Sequence, residues 1–256
     1  VAGEGRGLVK AWSALKRSWK QRGFVETFAF ISQSRSYYLR IYLPLVWRAL
    51  SRFRGRFDTE THVDTEGIVL AMELDAPAAL RAQATSYVPT PPRLFRRLVG
   101  SLPIRHEYWS FVDLGSGKGR TLLLAAGYPF REVVGVEFSP ELTRIAMQNI
   151  RAYRRNAGSS TRVETVCADA GEYEFNGEKL VLYLFNPFGE QVLARVLRNL
   201  KRWLEGGPHE LFVIYVHPRC RAVLDEAPFL EALPAPLGCA LYRGASPSVA
   251  SEGRPQ

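Results

Sequence analysis

The chain has 256 residues, enough for one sizeable domain plus an appendage and for a core that needs no staples. An apolar fraction of 46% and a charged fraction of 23% exclude a disordered or collagen-like chain. The net charge of +9 is uneven: residues 1–60 hold twelve Lys/Arg against four acids, leaving +8 there and +1 for the rest.

Three widely spaced cysteines (Cys167, Cys220, Cys239) give neither a disulfide framework nor a CxxC pair, so a reducing, cytoplasmic setting is expected. The four histidines do not cluster, and no metal site is expected. The first residues are Gly-rich and charged, without the apolar core of a secretory signal. The most apolar stretch, 37–50, is interrupted by Arg40, Pro44 and Arg48 and is too short to span a bilayer.

In chain order, Leu8, Trp12, Leu15 and Trp19 form one stripe of an amphipathic helix, with Lys10, Lys16, Arg17 and Lys20 off the stripe. A second helical region runs from about Val25 to Phe53, kinked or restarted at Pro44. Residues 54–67 read as a connector. Short apolar runs then alternate with helical patterns, which predicts a parallel sheet with crossover helices. The expected helices are Pro92–Leu102, Gly119–Ala126, Pro140 to about Arg155 with Ser139 as N-cap, and Glu190–Leu204. The expected strands are Ser110–Leu114, Glu132–Glu137, Val163–Cys167, Leu180–Phe185 and Leu211–Val216, with two more within 229–233 and 239–243. The division is a basic helical extension over 1–60, a body over 61–243 and a disordered tail over 244–256.

Four strand ends carry chemistry. The first is Asp113-Leu-Gly-Ser-Gly-Lys-Gly, with Gly115, Gly117 and Gly119 spaced GxGxG rather than the dinucleotide GxGxxG. An Asp beside such a turn repels a pyrophosphate and suits a cationic ligand, such as the amino and sulfonium groups of S-adenosylmethionine. A glycine turn with no ligand is the alternative. Second, Glu137 ends the next strand 22 positions after Gly115 and is able to accept from both ribose hydroxyls; a solvated strand-end Glu is the alternative. Third, Asp169 in Val166-Cys-Ala-Asp-Ala170 can accept from an adenine amine, or simply cap the next turn. Fourth, an apolar strand delivers Asn186-Pro187-Phe188 to the same edge. There an Asn carbonyl can hold an N–H nucleophile and Phe188 can wall the site; an ordinary Asn-Pro turn is the alternative.

The set resembles the class I methyltransferases, and within them the seven-strand protein-lysine methyltransferases. The histone-lysine type named for disruption of telomeric silencing is similar in Phe111-Val-Asp-Leu-Gly-Ser-Gly117 and in an Asn-Phe-containing fourth motif. The mitochondrial ATP-synthase c-subunit lysine type is similar in Tyr87-Val-Pro-Thr-Pro91 and the following glycine motif. The resemblance spans about Ser86 to Val216. It implies a Rossmann-like, seven-stranded, mostly parallel α/β sheet with helices on both faces, S-adenosylmethionine as cofactor, and methyl transfer to a protein amine. It also implies a cofactor set of Tyr87, Thr90, Asp113, Gly115, Ser116, Gly117, Gly119, Glu137, Phe138, Asp169, Ala170 and Asn186, with Asn186, Pro187 and Phe188 beside the methyl group. Two departures stand out: Lys118 replaces an acidic or small residue, and the fourth motif is neither Asn-Pro-Pro-Tyr nor the histone enzyme's version.

Methyl transfer is an in-line displacement in which positioning can supply most of the catalysis. Tyr87, Tyr183 and His217 are the candidate bases, each equally open to a packing role. A small-molecule or RNA methyltransferase, a dehydrogenase and an inactive cofactor-binding module are the competing functions. The basic extension reads as a cap over the substrate site, a membrane-surface element, or a nucleic-acid footprint. The oligomeric state is left open.

Overall fold

The computed structural model describes residues 56–157 and 161–245. The two amphipathic helices expected before residue 54 lie outside the described residues, as does the tail beyond Ala245.

Seven strands form one sheet: β1 Ser110–Leu114, β2 Glu132–Glu137, β3 Arg162–Cys167, β4 Lys179–Phe185, β5 Glu210–Val216, β6 Leu230–Leu233 and β7 Cys239–Ala245. Their order is β3-β2-β1-β4-β5-β7-β6. The first five pair in parallel, and β7 pairs antiparallel with both β5 and β6. The chain order reverses between β1 and β4, so a crevice opens at the carboxyl ends of these strands, where ligands bind in open α/β sheets.

Burial on both faces explains why the central strands are apolar throughout rather than alternating. Phe111, Val133, Val181, Tyr183, Phe212 and Ile214 face one layer, with Phe95, Leu98 and Val99 of helix α3 (Pro92–Gly100) and Leu122 and Leu123 of α4 (Arg120–Ala125). Ile150 of α5 (Pro140–Ala157) completes that layer. Val112, Leu114, Val134, Leu182, Leu184 and Val213 face the other, against α6 (Glu190–Glu205). On α6, Val192, Leu193, Val196, Leu197, Leu200 and Leu204 follow the helical repeat and are all buried, whereas Arg198, Lys201 and Arg202 are exposed. Each fully buried leucine contributes about 2 kcal/mol.

Local signals set the helix starts. Pro92 occupies the first turn of α3, where its missing N–H costs nothing. The Ser139 hydroxyl accepts the Leu142 amide at 3.3 Å and caps α5. Three short helices were not legible in the sequence: α1 (Arg56–Thr61), α2 (Ala78–Gln83) and α7 (Arg221–Asp225). The first corrects the reading of 54–67 as a connector and carries the body back before residue 61. Gly244 and Ala245, assigned to the tail, are part of β7. Among the described residues no helix is long and apolar enough to cross a membrane, and no group of His, Cys, Asp or Glu is arranged to hold a metal ion.

Candidate cofactor and acceptor site

β1 ends in a turn whose glycines are all left-handed: Gly115 at φ 81°, Gly117 at φ 54° and Gly119 at φ 83°. A Cβ on Gly115 would overlap Pro187, and one on Gly117 would overlap the Tyr87 ring. Glycine is therefore required both for the backbone and for the close approach. The Gly115 and Ser116 amides donate to the Val136 carbonyl at 2.8 and 3.1 Å, which ties the turn to the end of β2.

Beside this turn lies an open-mouthed cavity. Of the expected cofactor residues, Tyr87, Thr90, Asp113, Gly115, Ser116, Gly117, Glu137, Phe138, Asp169 and Ala170 line it, joined by Pro187 and Phe188. Gly119 stands one step below, as the left-handed residue that starts α4. Asn186 is not among the lining residues.

Two carboxyl groups face the cavity from buried positions, Asp113 and Glu137, each 3% exposed. Among the described residues neither belongs to an ion pair. Burial pushes the Asp113 carboxyl up to about 7, against the pull of a Thr121 hydroxyl that donates to it and with a further push from Glu137. Burial likewise raises Glu137, opposed by the Ser139 and Gly117 amides, which donate at 3.0 and 2.8 Å. The Ser116 hydroxyl is buried without a hydrogen-bond partner. Two desolvated carboxyl groups and an unpaired hydroxyl around one cavity fit a ligand with a cation at one end and hydroxyls farther along.

Asp169 is more committed. It accepts the Gly171 amide and the Arg195 guanidinium, each at 2.8 Å, and so leaves one lone pair per oxygen for a ligand.

Asn186 lies just behind the lining residues. Its side-chain oxygen accepts from the Tyr215 hydroxyl at 3.4 Å, its side-chain nitrogen is buried without a partner, and its backbone carbonyl accepts from Thr85 at 2.5 Å. At φ 43° it is in the left-handed region that Asn tolerates. Its turn sets Pro187 against Gly115.

The candidate bases also resolve. Tyr183 pairs with the Thr90 hydroxyl at 3.2 Å, and the Tyr87 hydroxyl donates to the Thr65 carbonyl at 2.6 Å. Burial raises both phenols, so they stay neutral. Burial, then Arg219, lowers His217, whose ring stacks on Phe185 at 5.4 Å, outside the cavity wall.

A strap that the sequence reading did not mark, residues 83–85 against 187–189, lines one side of the cavity. Ala84 and Phe188 form a bridge, the Thr85 amide donates to the Pro187 carbonyl at 3.0 Å, and the Gly189 amide donates to the Gln83 carbonyl at 3.0 Å. At the departure Lys118, the ammonium donates to Asp64 at 3.2 Å and to the Glu66 carbonyl at 2.9 Å, holding the segment 64–66, and Lys118 is not among the cavity's lining residues. These partners lie 52–54 residues upstream with no motif to mark them.

The sheet order and the glycine turn flanked by two buried carboxyl groups are those of a class I, S-adenosylmethionine-dependent methyltransferase domain. Residues 111–207 match the family described as a methyltransferase domain, and the enzyme's cofactor is S-adenosylmethionine. A protein-lysine N-methyltransferase of Saccharolobus islandicus is 27% identical over 135 residues, which are 52% of this chain and 81% of that one. Among solved structures, the chain is similar to an RNA methyltransferase of Salinibacter ruber in complex with S-adenosyl-L-homocysteine (TM-score 0.42, 23% identity, 66% of this chain and 97% of that one). It is also similar to a SAM-dependent methyltransferase of Aquifex aeolicus (TM-score 0.46, 14% identity, 61% and 94%).

Proposed function

We propose that the enzyme transfers the methyl group of S-adenosylmethionine to an amine nitrogen, with a protein lysine side chain as acceptor. The observation that carries the cofactor half is the pair of buried carboxyl groups, Asp113 and Glu137, which face one cavity and, among the described residues, belong to no ion pair; Arg120, which also lines the cavity, is paired with Asp58 and Glu66 instead. The cofactor supplies the methyl group on a sulfonium.

In this reading Asp113 receives the ammonium end and Glu137 the ribose hydroxyls. The turn through Gly115, Ser116, Gly117 and Gly119 lets the methionine part lie against backbone. Tyr87 and Thr90 roof it, and Phe138, Asp169 and Ala170 take the adenine. Phe185, Pro187 and Phe188 form an apolar wall where the acceptor amine arrives. Such a wall desolvates the amine and favours its neutral, nucleophilic form. Tyr87 and Tyr183 hold their protons, so the site works by desolvation and alignment rather than by a phenolate base.

The lysine acceptor is supported by the apolar wall and by the name of the 27% identical relative. The test is transfer of labelled methyl from S-adenosylmethionine into fractionated lysate, followed by hydrolysis of the protein fraction. Label in methylated lysine is expected; label confined to RNA, lipid or small molecules refutes the lysine acceptor.

A further inference from the structure

One buried charged cluster, centred on Arg120 at the cavity's edge, has been given no role in this scheme. The Arg120 side chain is 5% exposed and that of Asp58 1%. Arg120 donates from Nη2 to Asp58 at 2.9 Å and to Glu66 at 2.5 Å, and from Nε to the Thr65 hydroxyl at 2.7 Å. Asp58 also accepts the Thr65 and Glu66 amides at 2.6 and 2.7 Å and the Thr65 hydroxyl at 2.5 Å. The segment from α1 to Glu66 is thus wrapped around a guanidinium fixed in the first turn of α4, immediately after the glycine turn.

The wrapping leaves the Thr65 carbonyl facing Tyr87, whose hydroxyl donates to it at 2.6 Å. The Tyr87 ring in turn occupies the space where a Gly117 Cβ would lie. The path from Arg120 through Thr65 and Tyr87 therefore returns to the glycine turn from which Arg120 itself springs.

Buried ion pairs give little net stability, because desolvation offsets their attraction; what a fully bonded one supplies is fixed geometry. A guanidinium holds three partners at set angles, whereas an ammonium is a compact point charge.

We propose that Arg120 is a positioning residue for the cofactor. By gathering Asp58, Thr65 and Glu66 it fixes the Thr65 carbonyl, and through it the Tyr87 ring that roofs the glycine turn. The proposal rests on the reading that this turn holds S-adenosylmethionine.

The experiment is calorimetric titration of S-adenosylhomocysteine into the full chain, at a temperature where thermal scans show every variant folded. Arg120→Lys and Tyr87→Phe are each expected to weaken binding about tenfold, and the double variant no more than either alone, since both cut one path. Unchanged affinity in Arg120→Lys, or additive losses in the double variant, overturns the proposal. If Arg120→Lys does not fold, Tyr87→Phe decides alone: it removes only a hydroxyl, and wild-type affinity in it overturns the path. Failure of the unaltered chain to bind S-adenosylhomocysteine overturns the cofactor assignment itself, and the proposal with it.

Discussion

Asp113 makes cofactor binding depend on pH in a calculable way. Its carboxyl is pushed from 3.8 to about 7 by burial, so much of the ligand-free protein carries it protonated near neutrality. An ammonium needs the ionised form. With a value near 7, about 3% of molecules are ionised at pH 5.5 and about half at pH 7, so affinity for S-adenosylhomocysteine should tighten about fifteenfold over that window. Binding should also release protons, detectable as an observed enthalpy that varies with the ionisation heat of the buffer. The sign for stability is opposite. The folded protein holds this proton more tightly than the unfolded chain, so ligand-free stability from this group is full below pH 3.8 and declines as pH rises through about 7. The loss is at most about 4 kcal/mol. Asp113→Asn should therefore raise the melting temperature of the ligand-free protein at pH 8 while abolishing the pH dependence of binding. The assay is titration calorimetry at pH 5.5, 6.25 and 7 on both proteins. Equal affinity across the three pH values in the unaltered chain would refute the reasoning.

Three further outcomes follow from the geometry. Gly117→Ala adds a left-handed alanine that meets the Tyr87 ring; it should cost about 1–2 kcal/mol, lower the melting temperature by roughly 2–8 °C, and weaken S-adenosylhomocysteine binding in titration. Asn186→Gly, which keeps the left-handed turn and discards the amide, should retain cofactor affinity within about threefold, whereas Asn186→Ala should lose about 1–2 kcal/mol of stability in urea; a large affinity loss in the glycine variant would show that the amide faces the ligand after all. Leu200→Ala, in the fully buried stripe of α6, should cost about 2–5 kcal/mol with an unchanged urea m-value.

The sheet was legible because its strands are apolar runs with turn residues between them. Both edges of β1 and β2 fell where the alternation of strand and helix placed them, and Ser139 capped α5 as its hydroxyl suggested. The wall around the glycine turn was legible for the same reason: Asp113, Glu137 and Asp169 end successive strands, and strand order brings their ends together. The wrapping of residues 58–66 around Arg120 was not legible, because nothing in Asp58, Thr65 or Glu66 announces a partner 54–62 residues downstream. Helix α2 buries no side chain and so leaves no apolar period to read. The left-handed backbone of Asn186 was not legible, because an Asn before Pro is both a good turn residue and a good amide ligand, and composition does not reveal φ. Lys118, one of the two departures from the motif, bonds Asp64 and Glu66 and does not line the cavity.

The central claim is that Asp113 and Glu137 face one ligand from two strand ends. A crystal structure of the full chain with S-adenosylhomocysteine tests it most directly. The account predicts the ammonium within hydrogen-bonding reach of Asp113, the ribose hydroxyls on Glu137, and the sulfur opening toward Pro187 and Phe188. A ligand seated elsewhere, or seated here with Asp113 and Glu137 making no contact to it, would contradict the account.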